Sequence, residues 1–211
     1  MNRLKAICFA LFFMMPIFSF AQIVSAWGIK TGLTFANQNW DASSPAAPDW
    51  QYRQGLNSSL FFEFVNQSHI HLTANFSYSQ KGFVNKFDVI SNSGETNGLT
   101  FVRNERLDYV SFSPAVKYQQ SAGKLMPYVA VGPRFDLLIN KQITGLDKNI
   151  FDGYQKKIFG VSAGIGTEIK GMFPFVFLIE AQYNQDITKS YSTEFLSITN
   201  RTFDLQFGIK L

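Results

Sequence analysis

The sequence predicts an all-β chain, an eight-stranded antiparallel up-and-down transmembrane β-barrel. Three observations predict it. Apolar residues recur with period two in segment after segment. No window after Gln22 approaches the run of about 18 apolar residues that a helical span requires; the richest, MFPFVFLI from Met172 to Ile179, has eight. The connections between the alternating segments are short and long by turns, as in barrels with short periplasmic turns and long outer loops.

The N-terminus is read first because it sets which residues remain to fold. MNRLKAICFALFFMMPIFSFAQ carries Arg3 and Lys5, then an uncharged apolar run from Ala6 to Phe20, then Ser19 and Ala21 at the small-residue positions of a cleavage site. The expected organisation is a cleaved signal peptide over residues 1–21 and one outer-membrane barrel domain over 22–211. The leader would take Arg3, Lys5 and Cys8, the only cysteine, with it. The exported chain then has no disulfide, cysteine metal site or cysteine nucleophile. It keeps 17 basic residues against 15 acidic, a bias too weak to suggest nucleic acid as a partner, and no basic cluster adds to it. Aromatic residues make up 16% of the sequence, with 23 Phe, and charged residues also 16%, below the usual quarter. Mean hydropathy is nevertheless −0.01, so apolar and polar residues are interleaved.

The interleaving defines each strand. In WGIKTGLTF, Trp27, Ile29, Leu33 and Phe35 alternate with Gly28, Lys30, Gly32 and Thr34. In GLNSSLFFEFV, Leu56, Leu60, Phe62 and Phe64 oppose Gly55, Asn57, Ser59 and Glu63. From Ile70, the set Ile70, Leu72, Ala74, Phe76 and Tyr78 opposes His71, Thr73, Asn75, Ser77, Ser79 and Lys81. Val110, Phe112, Val116 and Tyr118 then oppose Ser111, Ser113 and Lys117; Val129, Val131, Phe135, Leu137 and Ile139 oppose Gly132, Arg134, Asp136 and Asn140. The last three strands are Phe159 to Ile169, Phe175 to Tyr183 and Phe203 to Leu211.

A soluble sandwich or barrel also alternates, with its faces inverted. The polar face decides the matter: Lys30, Glu63, Lys117, Arg134, Asp136, Glu168, Glu180, Asp204 and Lys210 stand among Gly, Ser, Thr, Asn and Gln, which suits a narrow lumen where opposite charges pair. The other face is aliphatic and aromatic over about nine to eleven residues, the length of a tilted membrane strand. Closure follows, because an open edge in lipid leaves backbone groups unpaired. The short connections are Asn66 to His69, Gln119 to Met126 and Lys170 to Pro174; the long ones run over Gln38 to Gln54, Val84 to Arg106, Gln142 to Gln155 and Asp186 to Asn200. Phe87, Val89, Leu99 and Phe101 give the second of these the pattern of a protruding hairpin. Both termini then lie in the periplasm, and outer-membrane lipid is the immediate partner. Protein partners have access through the outer loops or the periplasmic face.

The candidate sites have competing readings. The nine lumen charges are either a gate or a structural network, and an eight-strand interior, just filled by side chains, favours the network. Trp27, Tyr78, Tyr118, Tyr128 and Tyr183 fall near strand ends, where an aromatic body in oil with a polar tip among headgroups anchors a barrel. Trp40, Trp50 and Tyr52 sit in the first long loop and either meet a partner or pack the loop onto the rim. His69 and His71 are two residues apart without identifiable further ligands, and no motif marks a partner serine. No cofactor, metal or catalytic residue is expected.

Several of these segments also resemble the PorT-like outer-membrane β-barrels: GIKTGLTFAN, YSQKG at Tyr78 to Gly82, DYVSFSPAVKY at Asp108 to Tyr118, PYVAVGPRFDLLI at Pro127 to Ile139, FGVSAGIGTEI at Phe159 to Ile169, and FDLQFGIKL. The order matches along nearly the whole exported chain. The resemblance implies an integral outer-membrane protein. Some members of that family belong to the type IX secretion and gliding machinery, and many have no assigned activity. The expectation is a non-catalytic scaffold or accessory component of the outer membrane. The alternatives are a narrow solute channel, a lipid-modifying outer-membrane enzyme and a lipocalin-like binder with inverted faces.

Overall fold

Alternating segments rich in aromatic and β-branched residues form strands because each face meets one environment. In the computed structural model, which describes residues 24–42, 51–67, 69–90, 96–143, 153–171 and 174–211, these strands are β1 (Val24–Ala42), β2 (Gln51–Gln67), β3 (Ile70–Ile90), β4 (Thr96–Gln119), β5 (Leu125–Gln142), β6 (Lys157–Ile169), β7 (Val176–Asp186), β8 (Tyr191–Ser192) and β9 (Leu196–Lys210). The leader expected over residues 1–21 lies outside the described residues, as does Trp50. Each strand pairs antiparallel with the next; β8 is a two-residue ladder on β9, and β9 pairs with both β7 and β1. The result is a closed ring of eight strands.

Closure is extensive. The seam between β1 and β9 runs from Gly28↔Lys210 to Ala42↔Leu196, and Trp27 and Leu211 exchange backbone hydrogen bonds of 3.3 and 2.8 Å below it. No strand in the ring presents an edge, which is the condition for standing in hydrocarbon. Exposure settles the assignment of faces: Val131 is 61% and Ile165 64% exposed, whereas Glu168 is 1% and Asp204 2% exposed. Aromatic residues brace the outer belt, with Phe76 5.0 Å from Phe112 and Phe135 5.2 Å from Phe159 between ring centroids.

The second long connection is the protruding hairpin that its alternation predicts. Most of Val84 to Arg106 is strand: β3 and β4 continue as a hairpin paired from Val84↔Asn104 to Ile90↔Thr96. Likewise β1 extends to Ala42, β2 begins at Gln51 and β9 at Leu196. These extensions bury apolar residues inside the ring. Phe83, Leu107, Tyr109, Leu138, Tyr154, Ile158 and Ile198 form one buried cluster against Trp40 and Tyr191. The same strands that turn apolar residues outward in the belt turn them inward above it, where the surroundings change from lipid to water.

Gly82 is where this change of surroundings strains the backbone. Its φ is +129°, and a Cβ there would run into the carbonyl oxygen of Glu105 on the paired strand. Gly82→Ala is expected to destabilise the barrel by about 2 kcal/mol, read as a lower urea midpoint for unfolding from lipid vesicles. Heat-modifiability provides the test of the closed ring itself: unboiled protein from outer-membrane fractions should migrate differently from boiled protein on a detergent gel.

Candidate functional site

The inward positions of the ring bring the charged residues into layers. At the short-turn end, Lys117 of β4 bonds both Glu63 of β2 and Glu168 of β6, and Lys210 of β9 bonds the same two carboxylates through their other oxygens. Two cations and two anions thus close a four-membered ring across the lumen. All four are buried. Each charge has two opposite neighbours, so the desolvation that isolates a buried pair is offset twice at each position.

Above it lies a single pair, Lys30 to Glu180 at 2.9 Å. The Tyr128 hydroxyl donates to the other Glu180 oxygen at 2.7 Å, and the Lys117 ammonium stands 4.7 Å from the centre of the Tyr128 ring. Tyr128 is therefore corrected: it is 5% exposed and fills the lumen instead of anchoring the belt. The parity of β5 explains this, because Leu125, Val129 and Val131 face outward and period two turns residue 128 inward. Phe61 is also inside, with the Lys30 ammonium 5.6 Å from its ring centre.

The middle layer is neutral except for Asp204. That carboxylate accepts from the Thr34 hydroxyl at 2.6 Å and from the Asn57 and Asn184 amides at 3.0 and 2.9 Å, while Gln206 donates to Asn57 at 2.6 Å. Asp204 is thus held by hydrogen-bond donors and not by a direct cation.

A second closed quartet occupies the next level. Arg134 bonds Asp136 through Nε at 3.0 Å and also reaches Asp186; Lys81 bonds Asp136 and lies 3.7 Å from Asp186. Asn200 completes Asp186 at 2.8 Å. Lys81 sits on the inner alternation and Asp186 at the start of an expected long loop, where β7 in fact continues to Asp186, and neither belongs to the network expected from sequence. Pairing across 105 residues of chain has no local signature. The apolar cluster around Leu107 and Ile198 lies beyond this quartet, where burial pushes the Tyr154 phenol above its ordinary pKa range.

Between the layers are small cavities of about 40 and 20 Å³, room for a few waters and for one. At the short-turn mouth, a cavity of about 330 Å³ is lined by His71, Gln119, Ser121 and Lys170. The His71 Nδ1 there has no hydrogen-bond partner among the described residues, and His69 stacks on Tyr118 at 6.0 Å. Among the described residues, no group of three or more His, Cys, Asp or Glu is placed to hold a metal. Of the aromatic residues near strand ends, Trp27, Tyr118 and Tyr183 face outward at 45 to 49% exposure. Tyr78 is half-buried beneath Arg106, which donates to its hydroxyl at 2.9 Å. Trp40 packs inward, 5.7 Å from Phe83, and Tyr52 is exposed beside Arg201.

The quartets generate a sharp expectation. Lys117→Met and Glu168→Gln should each lower stability by about 3 kcal/mol, because each strands buried charge. The double variant should cost less than the two single losses together, as read from urea unfolding in vesicles. Tyr128→Phe should cost about 1.5 kcal/mol through the hydrogen bond lost to a charged acceptor.

Comparison with known proteins places this architecture. No curated protein sequence matches the chain. Among solved structures, Ail of Yersinia pestis is 13% identical over 88% of this chain and 98% of its own, with a TM-score of 0.43. Neisserial surface protein A is 10% identical over 89% and 98%, with a TM-score of 0.47. The outer membrane protease OmpT of Escherichia coli is 12% identical over 89% and 93%, with a TM-score of 0.43. The family profile of the outer membrane protein beta-barrel domain matches residues 20–192. With the closed ring and its apolar outer belt, that match makes this chain a member of the outer membrane protein beta-barrel domain family, resident in the cell outer membrane.

Proposed function

We propose that this protein is a non-catalytic, sealed barrel that serves as a membrane-embedded scaffold or accessory component of a PorT-like, type IX secretion or gliding assembly. The observation that carries the sealed, non-catalytic part is the stacking of two closed charge quartets, an amide layer and an apolar cap within one lumen. A solute path would have to break several buried ion pairs at once, and the small cavities admit water alone. The secretion part rests on the resemblance of YSQKG, PYVAVGP and the flanking strand segments to PorT-like barrels. The long-loop end and the short-turn mouth are the faces open to partners.

Two measurements test the two parts separately. In planar bilayers the purified protein should give no discrete conductance steps, and steady salt-dependent channels would overturn the sealed reading. Deletion of the gene should reduce protein secreted into the medium or surface spreading, with recovery on complementation. Unchanged secretion and spreading would remove the assembly role while leaving the sealed barrel intact.

A further inference from the structure

Outside the lumen, a second polar cluster stands on the outer wall where the apolar belt ends on the long-loop side. Arg106 grips Asp108 through Nε at 2.7 Å and Nη2 at 3.0 Å, and Asn140 donates to the same carboxylate at 3.0 Å. Arg53 reaches from β2 across Gly82, its Cδ 3.3 Å from the place a Cβ would occupy, and donates Nε to Asn104 at 3.0 Å. Only 9% of Arg53 is exposed, and its Nη1 has no hydrogen-bond partner among the described residues. A guanidinium has five donors and no acceptor, so a buried one left incomplete calls for an anion.

Directly below runs a lipid-facing groove of about 800 Å³. It descends from Tyr78 and Val110 past Phe76 and Leu60 to Ile29 and Phe207. Thr31 and Ser58 form its floor. Their hydroxyls bond each other at 3.0 Å, and Thr31 also donates to the Asn57 carbonyl at 3.2 Å, so an apolar chain can lie over them without stranding a polar group. Tyr78 belongs to both features: its hydroxyl meets Arg106 and its body lines the groove.

We propose that Arg53 and Arg106 bind the phosphate of an outer-leaflet lipid whose acyl chain occupies the groove below Tyr78. The long-loop side of an outer-membrane barrel faces the outer leaflet. The forked geometry of arginine suits a phosphate, and two guanidiniums share only one carboxylate here.

Native mass spectrometry of the full exported chain in detergent tests this with three probes: dimyristoyl phosphatidic acid, the phosphate-free dimyristoylglycerol of the same chains, and inorganic phosphate. Wild type should retain phosphatidic acid about tenfold over dimyristoylglycerol, the ratio one charge-assisted hydrogen bond supports. Arg53→Gln should bring that ratio near one while keeping the heat-dependent gel shift of a closed barrel. Ser58→Leu, which fills the groove, should lower retention of both lipids alike. If Arg53→Gln does not close, Arg53→Lys carries the test, and it should lose part of the preference because the fork is gone. Equal retention of the two lipids by wild type, or a preference unchanged by the Arg53 variant that closes, overturns the proposal. Binding of inorganic phosphate as strong as that of phosphatidic acid overturns it too, since the groove would then contribute nothing.

Discussion

Everything in this protein depends on one constraint: backbone groups in hydrocarbon have no water to bond, so the sheet must close. Closing with eight strands fixes a lumen only wide enough for side chains. That narrowness decides the chemistry of the interior. Charges placed there are removed from bulk water, and each needs compensation from across the ring. The two quartets are the solution observed, one around Glu63 and Glu168 and the other around Asp136 and Asp186. Each bond in them joins different strands, apart from the Arg134 to Asp136 contact within β5, so the ion pairs also brace the wall that confines them.

The same constraint explains why the interior changes character along the barrel axis. Within the belt the outside must be apolar, and alternation leaves the polar residues inward. Above the belt the outside is wet, and the apolar residues of the extended strands turn in to form the cluster of Phe83, Leu107 and Ile198. Inward Leu107 and Tyr109 on β4 lie only four and two residues from inward Ser111, so the exchange of faces is abrupt. The outward residues on the same stretch become Arg106 and Asp108.

The legible part of this architecture was the part set by parity. Period two is a local property, so it assigned Lys30, Glu63, Lys117, Glu180 and Lys210 to one face without knowledge of their partners, and the short and long connections gave the order of the ring. What lay beyond reach was pairing at long range. Nothing near Lys81 in sequence announces Asp136, and Asp186 sits where strand gives way to turn. Tyr128 is a different kind of miss: its parity pointed inward, but aromatic residues at strand ends are so often anchors that type outweighed position. The hairpin in the second long connection was legible by the same parity, because Phe87, Val89, Leu99 and Phe101 continue the alternation of the belt strands.

A lumen sealed as proposed shifts the functional surface to the outside of the ring and its two ends. Interior charges compensated by one another and by Tyr128, Asn57, Asn184 and Asn200 stabilise and rigidify the barrel. Incomplete polar groups also stand at the rims: Arg53 at the upper edge of the belt and His71 at the short-turn mouth. A rigid cylinder with its chemistry at the rims is suited to holding other components at a fixed depth and orientation in the membrane. An ion-paired core serves that purpose better than an oily one, because slippage of any strand by one residue would turn its charges into lipid.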